Sequence, residues 1–119
     1  MGGGSGNYAR AKYSFVGGGE NNQTRDKYAA VSGGAGNSAD SMYTTVGGGQ
    51  YNHAIWLMAT VGGGSNNIAR MVCATVGGGY MNAADSSWAF IGGGQYNTVR
   101  ADYGAIAGGQ RNLVTGFNG

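Results

Sequence analysis

Few side chains in this sequence could carry out catalysis. His53 is the only histidine, Cys73 is the only cysteine, and no acidic residue recurs beside His53. General acid–base and nucleophilic mechanisms need such groups in sets, and the pattern contains neither a Ser-His-Asp arrangement nor paired carboxylates. The single cysteine cannot form an internal disulfide, and Cys and His have no metal-ligand spacing. The sequence therefore predicts a protein that is not an enzyme, with no catalytic residue, metal site or cofactor.

Runs of glycine are the commonest motif, and nucleotide or calcium sites can be built from such runs. A P-loop would need Gly-Lys-Ser/Thr after the run, and a dinucleotide-binding turn would need to open a helix. Neither pattern follows these runs. A calcium-binding roll would need Asp in the loop, but the residues that follow the runs are Ser5, Glu20, Ala35, Gln50, Ser65, Tyr80, Gln95 and Gln110. A single acidic residue in this set excludes a calcium array.

The glycine runs belong to a repeat of 15 residues. Its copies start at residues 1, 16, 31, 46, 61, 76, 91 and 106, and we predict one repeat domain spanning 1–119. We number the positions of each copy from 1 to 15. Position 1 is Val or Ile except for Met1 in the first copy, positions 3 and 4 are always Gly, and position 7 is always Asn. This register argues against disorder, the usual alternative for a glycine-rich chain.

A copy this short favours β-structure, because two packed helices need more than twice its length. Before the second glycine run the residues alternate with the strand period, so Tyr13 and Phe15 face one way while Ser14 and Val16 face the other. Position 14 is small in most copies, so we expect this side to be interior. A second short strand is expected at positions 7 to 9. The predicted fold is all-β: a single-domain parallel β-roll or β-solenoid of eight turns, with two short strands per turn.

The glycines and asparagines have expected structural roles. A coil that closes in so few residues must reverse sharply, and Gly adopts positive φ without penalty, so the Gly pairs are predicted corners. Asparagine at one place in every turn predicts a ladder in which each side-chain amide donates to the next, at a spacing of about 4.7–4.9 Å. The alternative is a turn residue that tolerates a left-handed backbone. The predicted ladder comprises Asn7, Asn22, Asn37, Asn52, Asn67, Asn82, Asn97 and Asn112.

An outward stripe of large residues runs beside the predicted strand. The core of one Val and two small residues per turn is thin, so further burial is expected between chains. Stacked tyrosines on a solvated sheet are the alternative. Cys73 lies in the stripe and is expected to be a buried small hydrophobe. The candidate oligomer interface comprises Tyr13, Phe15, Tyr28, Tyr43, Met58, Trp88, Phe90 and Tyr103.

The fourth copy differs from the others between its Asn and its Val. Large apolar residues stand there where other copies are polar or charged, and a strand must expose some of them. Such a patch suits a receptor or subunit contact, and local packing between neighbouring corners is the alternative. The candidate surface binding residues are His53, Ile55, Trp56, Leu57 and Met71.

The formal net charge of +2 is too small and too mixed to indicate nucleic-acid binding. At position 10, neighbours along the stack are expected to form the pairs Arg25–Asp40, Arg70–Asp85 and Asp85–Arg100, each worth about 0–1 kcal/mol. The first two turns are mildly basic, which we interpret as a solvated face. No apolar run is long enough to insert into a membrane.

The repeat resembles the head repeats of YadA-like trimeric autotransporter adhesins. The unit that carries the resemblance is V-G-G-G-x-x-N-x-A-x-x-x-Y-x-T, and residues 43–52 show its junction as Tyr-Thr-Thr-Val-Gly-Gly-Gly-Gln-Tyr-Asn. The resemblance covers the whole chain. It implies a left-handed parallel β-roll, three chains around one axis, and an extracellular location on a bacterial cell surface. The family often has Gly two residues after the Ala, whereas this chain has Ala11, Asp26, Ser41, Trp56, Met71, Ser86, Ala101 and Gly116. The second corner must therefore tolerate a side chain.

Two functions follow from the sequence as expectations. The first is a rigid adhesin-head-like module that presents its variable residues to host matrix, host cells or like molecules. The second is a structural, self-assembling fibre or a phage or filament component, since whole repeats without an evident cap favour association end to end. An ice-binding face is disfavoured, because Phe15 and Phe90 interrupt the aligned Thr45, Thr60 and Thr75.

Overall fold

The computed structural model describes residues 3–116 as a coil of short β-strands. Met1, placed by the repeat at position 1, lies outside these residues. Each strand has two residues, because corners occupy most of every 15-residue turn. The strands are β1 (Tyr8–Ala9), β2 (Phe15–Val16), β3 (Gln23–Thr24), β4 (Ala30–Val31), β5 (Ser38–Ala39), β6 (Thr45–Val46), β7 (His53–Ala54), β8 (Thr60–Val61), β9 (Ile68–Ala69), β10 (Thr75–Val76), β11 (Ala83–Ala84), β12 (Phe90–Ile91), β13 (Thr98–Val99), β14 (Ala105–Ile106) and β15 (Leu113–Val114).

Successive strands alternate between two parallel sheets. The odd-numbered strands form an 8-stranded sheet and the even-numbered strands a 7-stranded sheet. Pairing joins residues one copy apart, such as Val16 with Val31 and Ala39 with Ala54. A third row of parallel bridges links position 5 of each turn to the next. The predicted all-β solenoid, with a 15-residue repeat and two short strands per turn, is confirmed. Its longest dimension is 41 Å, close to the length of about 35–40 Å that the strand spacing predicts for eight turns.

The interior is the one that the alternation predicts. Position 1 is fully buried from Val16 to Ile91, and Ile106 is 6% exposed. Position 9 supplies buried Ala in most turns, with Thr24 and Val99 as larger members, and position 14 supplies small residues such as Ala59. These three rows form one continuous core along the rod.

The buried asparagines hold consecutive turns together. In Asn37, Oδ1 accepts the backbone N–H of Asn52 at 2.9 Å, while Nδ2 donates to the carbonyl oxygens of Gly33 and Gly49, both at 2.9 Å. The same bonds recur along the row, whereas direct amide-to-amide bonds of 3.2 and 3.1 Å join only the pairs Asn82–Asn67 and Asn112–Asn97 among the described residues. The row therefore differs from the expected amide-to-amide ladder. Backbone groups at the corner need partners, and the amides satisfy them.

The second corner differs from the prediction. Residues 13–16 were expected to be a strand, but the strand starts at Phe15, and Tyr13 has a left-handed φ of 62°. The backbone N–H of Ser14 donates to the carbonyl of Ala11 at 3.2 Å and closes the turn. The left-handed residue is thus position 13, two places after the position where the resemblance would put Gly. Aromatic residues favour strands, but the closure of the coil overrides that preference here.

The two glycines of each pair are not equivalent. At Gly64, φ is +83° and an added Cβ would overlap the carbonyl oxygen of Gly79, whereas at Gly63 an added Cβ would meet nothing within 4 Å. At position 4 the overlap recurs in every described turn that has a further turn beside it, and at position 3 an added Cβ would make at most ordinary contacts, as at Gly18. Position 4 therefore requires Gly within a single chain, and position 3 has free space beside it.

Candidate interaction surface

The predicted stripe is exposed in a single chain, and five of its rings stack along the rod. Tyr13, Tyr28 and Tyr43 lie with ring centroids 5.2 and 5.0 Å apart and planes within 8°. Trp88 and Tyr103 stack at 6.2 Å. The exposed members are Tyr13, Phe15, Tyr28, Tyr43, Met58, Trp88, Phe90 and Tyr103. The stacked rings are still 45–71% exposed and are therefore accessible to another chain.

Cys73 separates the two stacked groups. In the single chain its side chain is half-buried, and the predicted full burial would need contact with another chain. Its φ is 56°, like that of its neighbours in the stripe, because it shares their corner. Its side chain therefore lies at the edge of the core and not within it.

The structure divides the predicted binding patch between two places. Trp56 is 53% exposed and Met71 is 40% exposed, and both occupy position 11 in successive turns. Leu57 and Ile55 are half-buried beside them. His53 is exposed on β7, on the outer face of the 8-stranded sheet, and not on this corner. The apolar surface at the corner is thus centred on Trp56.

His53 lines a shallow groove that the sequence did not predict. The groove has a volume of about 320 Å³ and is lined by Tyr51, His53, Asn66, Asn67, Ile68, Arg70, Met81, Asn82 and Ala83. Position 6 creates the depth of the groove, because the small Asn66 lies between the larger Tyr51 and Met81 of the neighbouring turns. The sequence contains this alternation of large and small residues, which could have indicated a groove. Only the structure shows that position 6 lies on the surface.

Two of the predicted ion pairs form along the stack. Arg25 Nε lies 3.6 Å from Asp40 Oδ1, and Arg70 Nε lies 3.3 Å from Asp85 Oδ1. Within residues 3–116 the predicted extension to Arg100 does not form. The arginines of both pairs are more than half exposed, so each pair contributes little to stability.

Over the part of the chain that the structure describes, no three His, Cys, Asp or Glu side chains gather as a metal site would require. None of the elements in residues 3–116 is a helix that is apolar and long enough to cross a membrane.

No family model matches the chain, and no curated protein matches it.

Proposed function

We propose that this chain is a non-enzymatic binding module, similar to the heads of trimeric autotransporter adhesins, on the outer surface of a bacterial cell. Its rod presents variable outward side chains to host matrix, to host cells or to like molecules. The observation that carries the proposal is the exposed apolar corner around Trp56, which no packing inside the described chain covers.

The division between constant and variable positions supports this function. Positions 1 and 7 face inward and hold the coil, and their residue types hardly change along the rod. Positions 10 to 12 differ from turn to turn, and among the described residues their side chains are exposed or half-buried except for the buried Ala101. Side chains on such a scaffold can change without loss of the frame, which is how recognition surfaces are commonly organised.

The exposed stripe supports assembly into a homo-oligomer. Two exposed aromatic stacks flank Met58 and Cys73, and together they form a long apolar strip on one corner. Burial of this strip between chains would add to a thin core. A trimer is the stoichiometry that the resemblance implies.

A structural fibre is the second candidate. The bond from Asn Oδ1 to the next Asn N–H continues through turns of quite different sequence, from Asn7 to Asn112. A turn from another chain that had the same Gly and Asn would continue this row. Discrete particles in electron micrographs would favour the binding module, and long filaments would favour the fibre.

The binding function is tested with immobilised matrix proteins (collagen, fibronectin and laminin) and with cultured cells. Trp56→Ser installs the residue found at the same position in the third and sixth copies. We expect it to reduce binding to a matrix protein or to cells by about tenfold or more. Tyr51→Asn is the control, because Tyr51 is also exposed in this turn and Asn occupies its position in the second and fifth copies. Equal binding by wild type and Trp56→Ser would contradict the proposed site.

A further inference from the structure

Position 12 forms a row along one edge of the rod, which we call the corner edge. The backbone keeps this row in register, since the carbonyls of Met42 and Leu57 accept the N–H groups of the next turn's Met58 and Cys73 at 3.1 and 3.0 Å. From one end to the other the row reads Lys12, Lys27, Met42, Leu57, Val72, Ser87 and Asp102. Cations thus lie at one end, an acid lies at the other, and apolar residues occupy the centre.

Position 10, beside this row, has its charges arranged in the same sense. The pair Arg25–Asp40 lies on one side of Ile55, and the pair Arg70–Asp85 lies on the other. From Arg25 to Asp85, position 10 is therefore positive, negative, apolar, positive and negative. Reversal of these five residues exchanges every charge, with Ile55 at the centre, whereas Arg10 and Arg100 beyond them have the same charge.

This antisymmetry determines how two identical edges can meet. A parallel contact places each charge opposite its own copy, so Lys12 faces Lys12 and Asp102 faces Asp102. A two-fold rotation through Leu57 instead brings Lys12 to Asp102, since each lies three turns from the centre, or about 14 Å. The same rotation brings Arg25 to Asp85 and Asp40 to Arg70. Unlike charges then meet at three levels, and symmetry doubles each contact.

The centre of the edge has the composition of an interface core. Trp56 is 53% exposed and Met71 is 40% exposed, and Leu57 lies on the rotation axis. Tryptophan is enriched among the residues that dominate binding energy, and such residues lie where the surrounding contacts exclude water. Arg10 and Arg100 would face each other at the outer limit of position 10. They are both exposed, so this like-charge contact is screened by solvent.

We propose that the partner of the corner edge is a second copy of this chain, bound antiparallel about a two-fold axis at Leu57. The inference rests on the proposed function, because it names the partner of the same Trp56 surface. This contact is distinct from the trimer that the resemblance implies, whose parallel chains would meet at the stripe. A parallel contact across the corner edge would place like charges opposite each other.

Sedimentation of the full chain over a range of concentrations measures this association. Trp56→Ser should weaken it about tenfold or more, and the Tyr51→Asn control should leave it unchanged. Lys12→Glu and Asp102→Lys should each weaken association, because each creates two like-charge contacts, and the double variant should recover it. A parallel contact predicts no loss in either single variant, so association that ignores both reversals overturns the proposal.

A comparison with matrix binding separates this inference from the proposed function. Loss of matrix binding in Trp56→Ser, without self-association of the wild type, would overturn the antiparallel partner and leave the binding module standing. If Trp56→Ser weakens self-association but not matrix binding, and the Lys12→Glu/Asp102→Lys double variant recovers the association that each charge variant loses alone, the antiparallel partner is supported. The patch would then bind like molecules. No effect of Trp56→Ser on either measurement would remove both. Far-ultraviolet circular dichroism of each variant checks that the coil is intact.

Discussion

The two corners of each turn meet the same backbone requirement in different ways. At the glycine corner, Gly64 has a φ of +83° and lies against the carbonyl of the next turn. At the opposite corner, Met58 has a φ of 59°, yet its side chain is 46% exposed and has room. A left-handed φ is therefore compatible with many residue types in this coil. Glycine is required only where the next turn also blocks the place of a Cβ.

The largest expected effect is from Gly64→Ala. The substitution combines an unfavourable φ with an overlap against backbone atoms that hold the next turn, and we expect a loss of about 4 kcal/mol in the free energy of unfolding. Chemical denaturation measures it. Gly63→Ala is the matched control, with an expected change within about 0.5 kcal/mol, because its added methyl group meets nothing. Equal losses would show that position 3 is also constrained.

Asn67→Ala should have the next largest effect, because this amide anchors the glycine corner. Its loss removes bonds to the carbonyls of Gly63 and Gly79 and leaves the N–H of Asn82 without its acceptor. We expect destabilisation by about 3 kcal/mol, measured by the same denaturation. The counterpart at the other corner is Thr44, which donates to the Ser41 carbonyl at 2.6 Å. Thr44→Ala should cost about 1 kcal/mol, and the comparison fails if the two costs are alike.

Thr24→Val should stabilise the strand that joins the two corners. The hydroxyl of Thr24 is buried and has no hydrogen-bond partner, whereas Val99, which has a similar shape, is buried at the same position five turns further on. Removal of an unpaired buried hydroxyl should raise the free energy of unfolding by about 1 kcal/mol. A rise in the thermal midpoint tests this, and a fall would show that the hydroxyl has a partner in solution.

Met58→Ala should have the smallest effect. Both residues share the cost of a left-handed φ, and only part of the Met side chain is buried. We expect a loss below about 1 kcal/mol in the free energy of unfolding of the monomer. If Met58→Ala costs as much as Gly64→Ala, the dihedral angle itself, and not crowding by the next turn, explains why position 4 is always Gly.

Most of the frame was predictable because it repeats. Strict recurrence of Val16 and its equivalents predicted a coil of 15 residues per turn, and alternation predicted the interior that the structure confirms. The corner at Tyr13 was not predictable, since tyrosine favours strands and only closure of the turn sets its dihedral angles. The bonds of the Asn row were also not predictable, because they depend on which backbone groups the corners leave unpaired.

The period, the parallel register and the inward rows follow from the residue pattern, because each depends only on which residues recur and at what spacing. The folded coil is needed to tell which Gly of a pair is required, since that depends on the carbonyl of the next turn. It also separated His53 from Trp56, which lie close in sequence but on different surfaces. The tight corner between them redirects the chain within a few residues, so these neighbours in sequence lie on different surfaces.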